Sequence, residues 1–209
     1  MKKSLLYIPV IGLLLLASGI NAQTVTDIDG NEYPVITIGE QEWFGKNLRV
    51  THYRNGDTIE NNPGHTYWQE STEGLWEHYD KDPAYAELYG KLYNWYATVD
   101  ERGLCPEGWR APTDDDWQQL VEYIDPDAWG NNNSLGTKLK SCRQEGSPLG
   151  VDCDVTEHPR WDSHGRRFGT DEYGFGALPG GAYTMGVAFV HMGKYAYFWS
   201  TTEAAGNNA

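Results

Sequence analysis

The side chains able to do chemistry in this sequence are few, and their spacing favours binding over turnover. Cys142 and Cys153 enclose the polar residues 143–152, where Gly146, Pro148 and Gly150 can turn the chain back on itself. These two are expected to bond to each other, which leaves Cys105 as the odd thiol of three. Cys105 sits between Leu104 and Pro106 with no histidine within ten residues, so it reads as a structural cysteine rather than a nucleophile. Glu157, His158, Asp162 and His164 carry metal-ligand chemistry, but their spacing fits no zinc pattern and Pro159 fixes a turn between them; a solvated loop is expected. Asp27, Asp29 and Asn31 begin like a calcium loop, yet no bidentate glutamate follows at the required offset, and a solvated turn is the reading. The glycine-rich residues 174–181 lack a lysine and do not open a helix, so they cradle no phosphate. That leaves the aromatic rings. Trp161, Tyr183 and Phe189 lie in glycine-rich loops after Cys142, where such rings either pack a core or stack on the apolar face of a pyranose. No catalytic, cofactor-binding or metal-binding residue is expected.

The elements that must position these groups follow from periodicity. Residues 24–28 and 32–38 alternate apolar and polar side chains around an Asp-Gly-Asn turn, and a second turn at 39–41 leads to Glu42, Trp43 and Phe44, so a three-stranded meander opens the chain. Residues 49–83 are irregular and read as ordered loop. Leu88, Leu92, Trp95, Tyr96 and Val99 share one face of a predicted short helix that Gly103 stops. The firmest signal is Thr113, an N-cap, followed by Asp114, Asp115 and Asp116 and then by Trp117, Leu120, Val121 and Ile124 on one helical face; Pro126 and Gly130 close that helix. Residues 109–112, 173–178 and 195–200 read as strands. Short strands and turns around two helices predict an α+β domain.

The ends and the composition set the setting. Lys2 and Lys3, an apolar run over residues 5–17, and small or polar residues to Ala22 have the order of a cleavable secretory signal, giving a signal peptide at 1–22 and a single domain at 23–209. The run is shorter than the roughly 20 apolar residues that a membrane-spanning helix needs, and it carries Pro9, so no span is expected after cleavage. Loss of Lys2 and Lys3 takes the net charge from −14 to −16, a surface that phosphate backbones repel, which excludes nucleic acid as partner. With 9 Trp, 14 Tyr and 5 Phe against a mean hydropathy of −0.63, large rings rather than aliphatic runs must fill the core.

Six blocks carry a resemblance. Residues 25–31 (Val-Thr-Asp-Ile-Asp-Gly-Asn), Glu42-Trp43 with Asn47-Leu48-Arg49, residues 89–97 (Tyr-Gly-Lys-Leu-Tyr-Asn-Trp-Tyr-Ala), residues 106–113 (Pro-Glu-Gly-Trp-Arg-Ala-Pro-Thr), residues 177–181 (Ala-Leu-Pro-Gly-Gly) and residues 198–203 (Phe-Trp-Ser-Thr-Thr-Glu) resemble, in order, the Fibrobacter succinogenes major paralogous domain. The resemblance implies an exported or surface module of the Bacteroidetes and Fibrobacteres, without an established activity, whose core is similar to the C-type lectin-like fold. It also implies further strands after Trp199 and a cysteine near their end that would pair with Cys105, so the chain is expected to be a member lacking its closing strands, with an exposed sheet edge. Neither of the calcium-holding motifs of sugar-binding lectins, Glu-Pro-Asn or Gln-Pro-Asp beside Trp-Asn-Asp, is present.

Together these readings point to an exported, non-enzymatic binding or adhesion module, in the periplasm, at the cell surface or secreted. Its partner is expected to be a polysaccharide or another surface protein, presented to the loops after Cys142. The alternative is a structural envelope or matrix component without a discrete ligand site.

Overall fold

A computed structural model describes residues 23–126, 134–165, 168–184 and 188–203. The signal peptide expected at 1–22, Gly130 and the end of the chain after Glu203 lie outside the described residues.

The amino-terminal meander forms as its alternation requires. Strands β1 (Thr24–Thr26), β2 (Glu32–Ile38) and β3 (Gln41–Phe44) pair antiparallel in the order β1-β2-β3. The register sets Ile36 opposite Trp43 and Ile38 opposite Gln41. The turn between β1 and β2 is solvated as expected at residues 28–30, with Asp27 as the exception. Asp27 is buried, and its carboxylate accepts from the backbone N–H groups of Asp29 and Asn31, from Asn31 Nδ2 at 2.8 Å and from the Tyr33 hydroxyl at 2.6 Å. Four donors satisfy the buried charge, which is why an aspartate is tolerated there.

Residues 49–83 carry more structure than their composition suggests. They hold β4 (Glu60–Asn61), α1 (His65–Glu70), β5 (Leu75–Glu77) and a 3-10 turn, Tyr79–Lys81. Val50, Tyr53 and Ile59 pack with Tyr93, Ala97 and Leu104 in one core cluster. These apolar residues recur with neither helical nor strand period, so only the assembled core reveals them.

The helix expected over residues 88–99 is broken into three pieces: α2 (Ala84–Tyr89), β6 (Leu92–Tyr93) and α3 (Trp95–Val99). Gly90 adopts φ 80°, and a Cβ there would lie 2.6 Å from Asn47 Cβ and 2.7 Å from the Leu48 carbonyl oxygen. The chain then pairs Leu92 and Tyr93 with β5, and Asn94 caps α3 while also accepting from the Leu75 N–H. Two strand hydrogen bonds and a new cap replace one continuous helix.

Helix α4 (Asp114–Ile124) follows the sequence pattern closely. Thr113 and Asp116 form a reciprocal capping box, and Leu120 and Ile124 are buried against Ile38, Phe175 and Ala177. Helix α5 (Ser134–Leu139) packs beside it.

The three short strands expected at residues 109–112, 173–178 and 195–200 do not form ladders. Gly174 and Gly176 have φ of 69° and 63°, and the Asp171 carboxylate accepts from the Gly176 N–H, so this stretch turns instead of extending. Only Ala177 makes a bridge, to Lys140. Residues 195–200 give carbonyl oxygens to indole N–H groups, as described below. The strands in this part of the chain are instead β7 (Gly180–Thr184) and β8 (Ala188–Met192), an antiparallel pair.

Cys142 and Cys153 form the expected disulfide, with Cα atoms 5.1 Å apart, and Cys105 is free and buried. Inside the bonded loop Gln144 is fully buried; its N–H donates to the Cys153 carbonyl, and its side-chain amide donates to that of His164. Replacing both cysteines by alanine is expected to cost about 3 kcal/mol, the loop-closure entropy returned to the unfolded chain. Urea titration reads this as a lower midpoint, with a slope equal to or steeper than that of the bonded chain because the unfolded state expands.

Candidate functional site

A groove of about 1410 Å³ lies where β3, the start of α4, the 108–112 turn, β7 and the 196–203 segment meet. Its base is aromatic. Trp43 packs on Trp117 with ring centroids 4.8 Å apart, and both meet Phe175, at 5.9 and 6.4 Å. Phe198 closes on Trp117 at 5.6 Å and on Phe175 at 5.7 Å. Beside them Phe44 lies 4.3 Å from Trp109. Gly108, at φ 82°, makes the turn that brings Trp109 back over β3.

The 195–203 segment is held by side chains where a strand would be held by a ladder. Trp117 Nε1 donates to the Trp199 carbonyl at 3.1 Å and Trp95 Nε1 to that of Ser200 at 3.3 Å, while Trp199 Nε1 donates to the Tyr93 carbonyl at 2.8 Å. The Thr201 N–H donates to Pro112, and the Asp114 N–H to the Thr202 hydroxyl. Three indoles thus satisfy backbone carbonyls, two of them in this segment and one in β6. This arrangement leaves Tyr197, Phe198 and Trp199 on the groove wall at 54 %, 44 % and 48 % exposure.

Of the rings singled out in the sequence, Tyr183 lines this groove. Phe189 stacks on Tyr183 at 4.3 Å with planes 19° apart, and Trp68 meets Tyr183 edge-on at 5.1 Å. Trp161 stands elsewhere and has a different role. It is 5 % exposed, its Nε1 donates to the Ala177 carbonyl, and the Lys140 ammonium covers its ring at 4.4 Å. It packs the interior and offers no free face. The sequence reading missed Trp43, Trp109, Trp117, Tyr197, Phe198 and Trp199 as one surface. Their only linear signal is the alternation of Tyr195, Tyr197 and Trp199, which by itself is that of any half-buried strand.

The other chemistry-bearing residues have structural partners. Burial pushes the Cys105 thiol up to about 11, which keeps it protonated at neutral pH, although it borders the groove. His158 meets the Tyr89 hydroxyl, and Asp162 pairs with Arg160 at 3.1 Å. Among the described residues no three His, Cys, Asp or Glu side chains are grouped to hold a metal.

The sequence model of the Fibrobacter succinogenes major domain matches residues 36–209. The chain belongs to this family. No curated protein and no solved structure matches it. The Fibrobacter succinogenes major domain thus starts inside β2 and takes in β3, α4, the disulfide loop and the whole aromatic groove except Gln23. Its disulfide belongs to an oxidising, extracytoplasmic setting. No helix among the described residues is long and apolar enough to cross a membrane.

Two carboxylates tie the domain's stability to pH. The Arg110 guanidinium holds Asp116 at about 2 against an ordinary 3.8, helped by donors from Thr113, and Arg102 holds Asp100 at about 2 in the same way. A depressed folded-state value means that the stabilisation is complete above the unfolded value and disappears as pH falls through the folded one. The domain is therefore expected to lose stability from about pH 5 down to pH 2. Asp116→Asn should flatten that acid limb in thermal scans across the same range. An unchanged limb would show that the Arg110 pair contributes nothing.

Proposed function

We propose that this Fibrobacter succinogenes major domain is an exported, non-enzymatic module that binds a polysaccharide chain along the aromatic groove, and that its α+β core is C-type lectin-like. The observation that carries the reading is the groove itself: about 1410 Å³, and faced by exposed Tyr197, Phe198 and Trp199 beside Trp43, Trp109 and Trp117. Flat apolar rings match the C–H faces of pyranose units, and the volume exceeds the ~300–1,000 Å³ of ordinary small-molecule pockets, which favours a chain over a single sugar. The groove lies across β3, the start of α4, β7 and the 196–203 segment; of the three rings expected in loops after Cys142 it uses Tyr183, which stands on β7. Binding without turnover is supported by the protonated, buried Cys105, the one free thiol at the groove. Residues 1–22 supply export in this reading, and the destination is the periplasm, the cell surface or the medium.

Thermal unfolding of the chain with soluble cello-, xylo-, manno- and laminari-oligosaccharides tests it. A ligand that selects the folded state raises the midpoint by mass action. At least one of these glycans should do so, with no new reducing ends after prolonged incubation. A midpoint that none of them moves would remove the binding reading and leave a structural envelope component.

A further inference from the structure

The charges around the groove are unevenly committed. Two of its cations are engaged within the fold: Arg110 pairs with Asp116, and Lys91 donates to the Arg49 carbonyl and lies 4.8 Å over the Trp76 ring. Lys46 is the remaining cation among the described lining residues. Against it stand Glu42, Glu70 and Glu203, all exposed, all on the groove, and none within ion-pair distance of a cation among the described residues. They come from three separate elements, β3, α1 and the 196–203 segment. The whole chain, at −14, adds to their field, and a cleft concentrates it.

We infer that Glu42, Glu70 and Glu203 are specificity residues that reject polyanionic glycans, so that the groove takes neutral or amino-bearing chains and excludes uronate chains of the same backbone. The inference rests on the glycan reading above. Specificity of this kind comes from a repulsive element, while the aromatic rings, which stack on neutral and acidic pyranoses alike, provide attraction without discrimination. A uronate repeats one carboxylate per sugar, so every bound unit adds a charge of the same sign as the glutamates. The exclusion should weaken with salt, because these charges are exposed and screened over a Debye length of about 10 Å at 0.1 M.

Two matched probe pairs separate this inference from the reading beneath it: cellohexaose against its C6-oxidised form, and mannohexaose against the corresponding mannuronate. At low salt the neutral member of a pair should bind at least tenfold more tightly, the gap should shrink in high salt, and Glu42→Gln/Glu70→Gln/Glu203→Gln should narrow it by raising the affinity for the uronate member. These glutamates are exposed, so the variant should keep the wild-type unfolding midpoint at neutral pH. Equal binding of both members by the wild type, or a gap that the triple variant preserves, overturns the exclusion and leaves the glycan reading standing. Binding of the uronate members alone overturns the exclusion and keeps the glycan reading, and absence of binding to every member of both pairs overturns both.

Discussion

Leu120→Ala should destabilise the domain by roughly 2–5 kcal/mol, the range found when a buried leucine is truncated and its cavity only partly collapses. Leu120 is 1 % exposed and packs with Ile38, Ile124, Phe175 and Ala177, so β2, α4 and the 173–178 turns all lose contacts together. The loss would be felt at the groove as well, because Trp117 lies one turn earlier on the same helix and Trp43 lies against that ring. Urea unfolding followed by far-UV circular dichroism reads the first effect, and near-UV circular dichroism of the indoles reads the second. A cost below about 1 kcal/mol would mean that α4 is not packed as described.

Trp199→Ala should lower glycan affinity by at least tenfold, about 1.4 kcal/mol in binding free energy. The ring is half exposed on the groove wall, and its indole N–H also fastens the segment to the Tyr93 carbonyl. Trp199→Phe separates these two roles: it keeps a face for stacking and removes the hydrogen bond, whose net contribution to stability is about 1 kcal/mol. If stacking is the main contribution, the phenylalanine variant retains most of the affinity and shows a small fall in unfolding midpoint. If both variants lose binding equally, positioning of the 195–203 segment, and not the ring face, sets affinity. Isothermal titration with the glycan that raises the midpoint measures both variants.

Where local chemistry decides local structure, the sequence was readable. Thr113 and Asp116 satisfy orphan N–H groups of α4 within four residues, and the apolar stripe of that helix repeats at its own period, so both its start and its buried face could be named. The Asp-Gly-Asn turn and the alternation around it specified the β1-β2-β3 meander in the same way. The Cys142–Cys153 bond needed only a short, turn-rich connection. The stretch 84–99 was misread because its apolar spacing is helical while its backbone is interrupted by contacts from far away. Gly90 is confined against Asn47 and Leu48, and Tyr93 pairs with Trp76. No window of fifteen residues contains those partners.

The aromatic residues show the same division most clearly. Their number alone implied that rings, not aliphatic runs, would build this domain, and the capped helix, the hairpin and the bonded cysteines were all fixed by neighbours in the chain. Which rings are interior and which face solvent was decided by tertiary structure. Trp161 and Trp199 are chemically identical, yet the first is sealed under Lys140 with its N–H on Ala177, and the second is left on a groove wall with its N–H on Tyr93. An indole can hydrogen-bond any carbonyl within reach, so its role depends on which distant backbone arrives beside it. That is a property of the assembled fold: Trp117, Trp95 and Trp199 each take a carbonyl, or give theirs, across 82 to 106 positions of sequence.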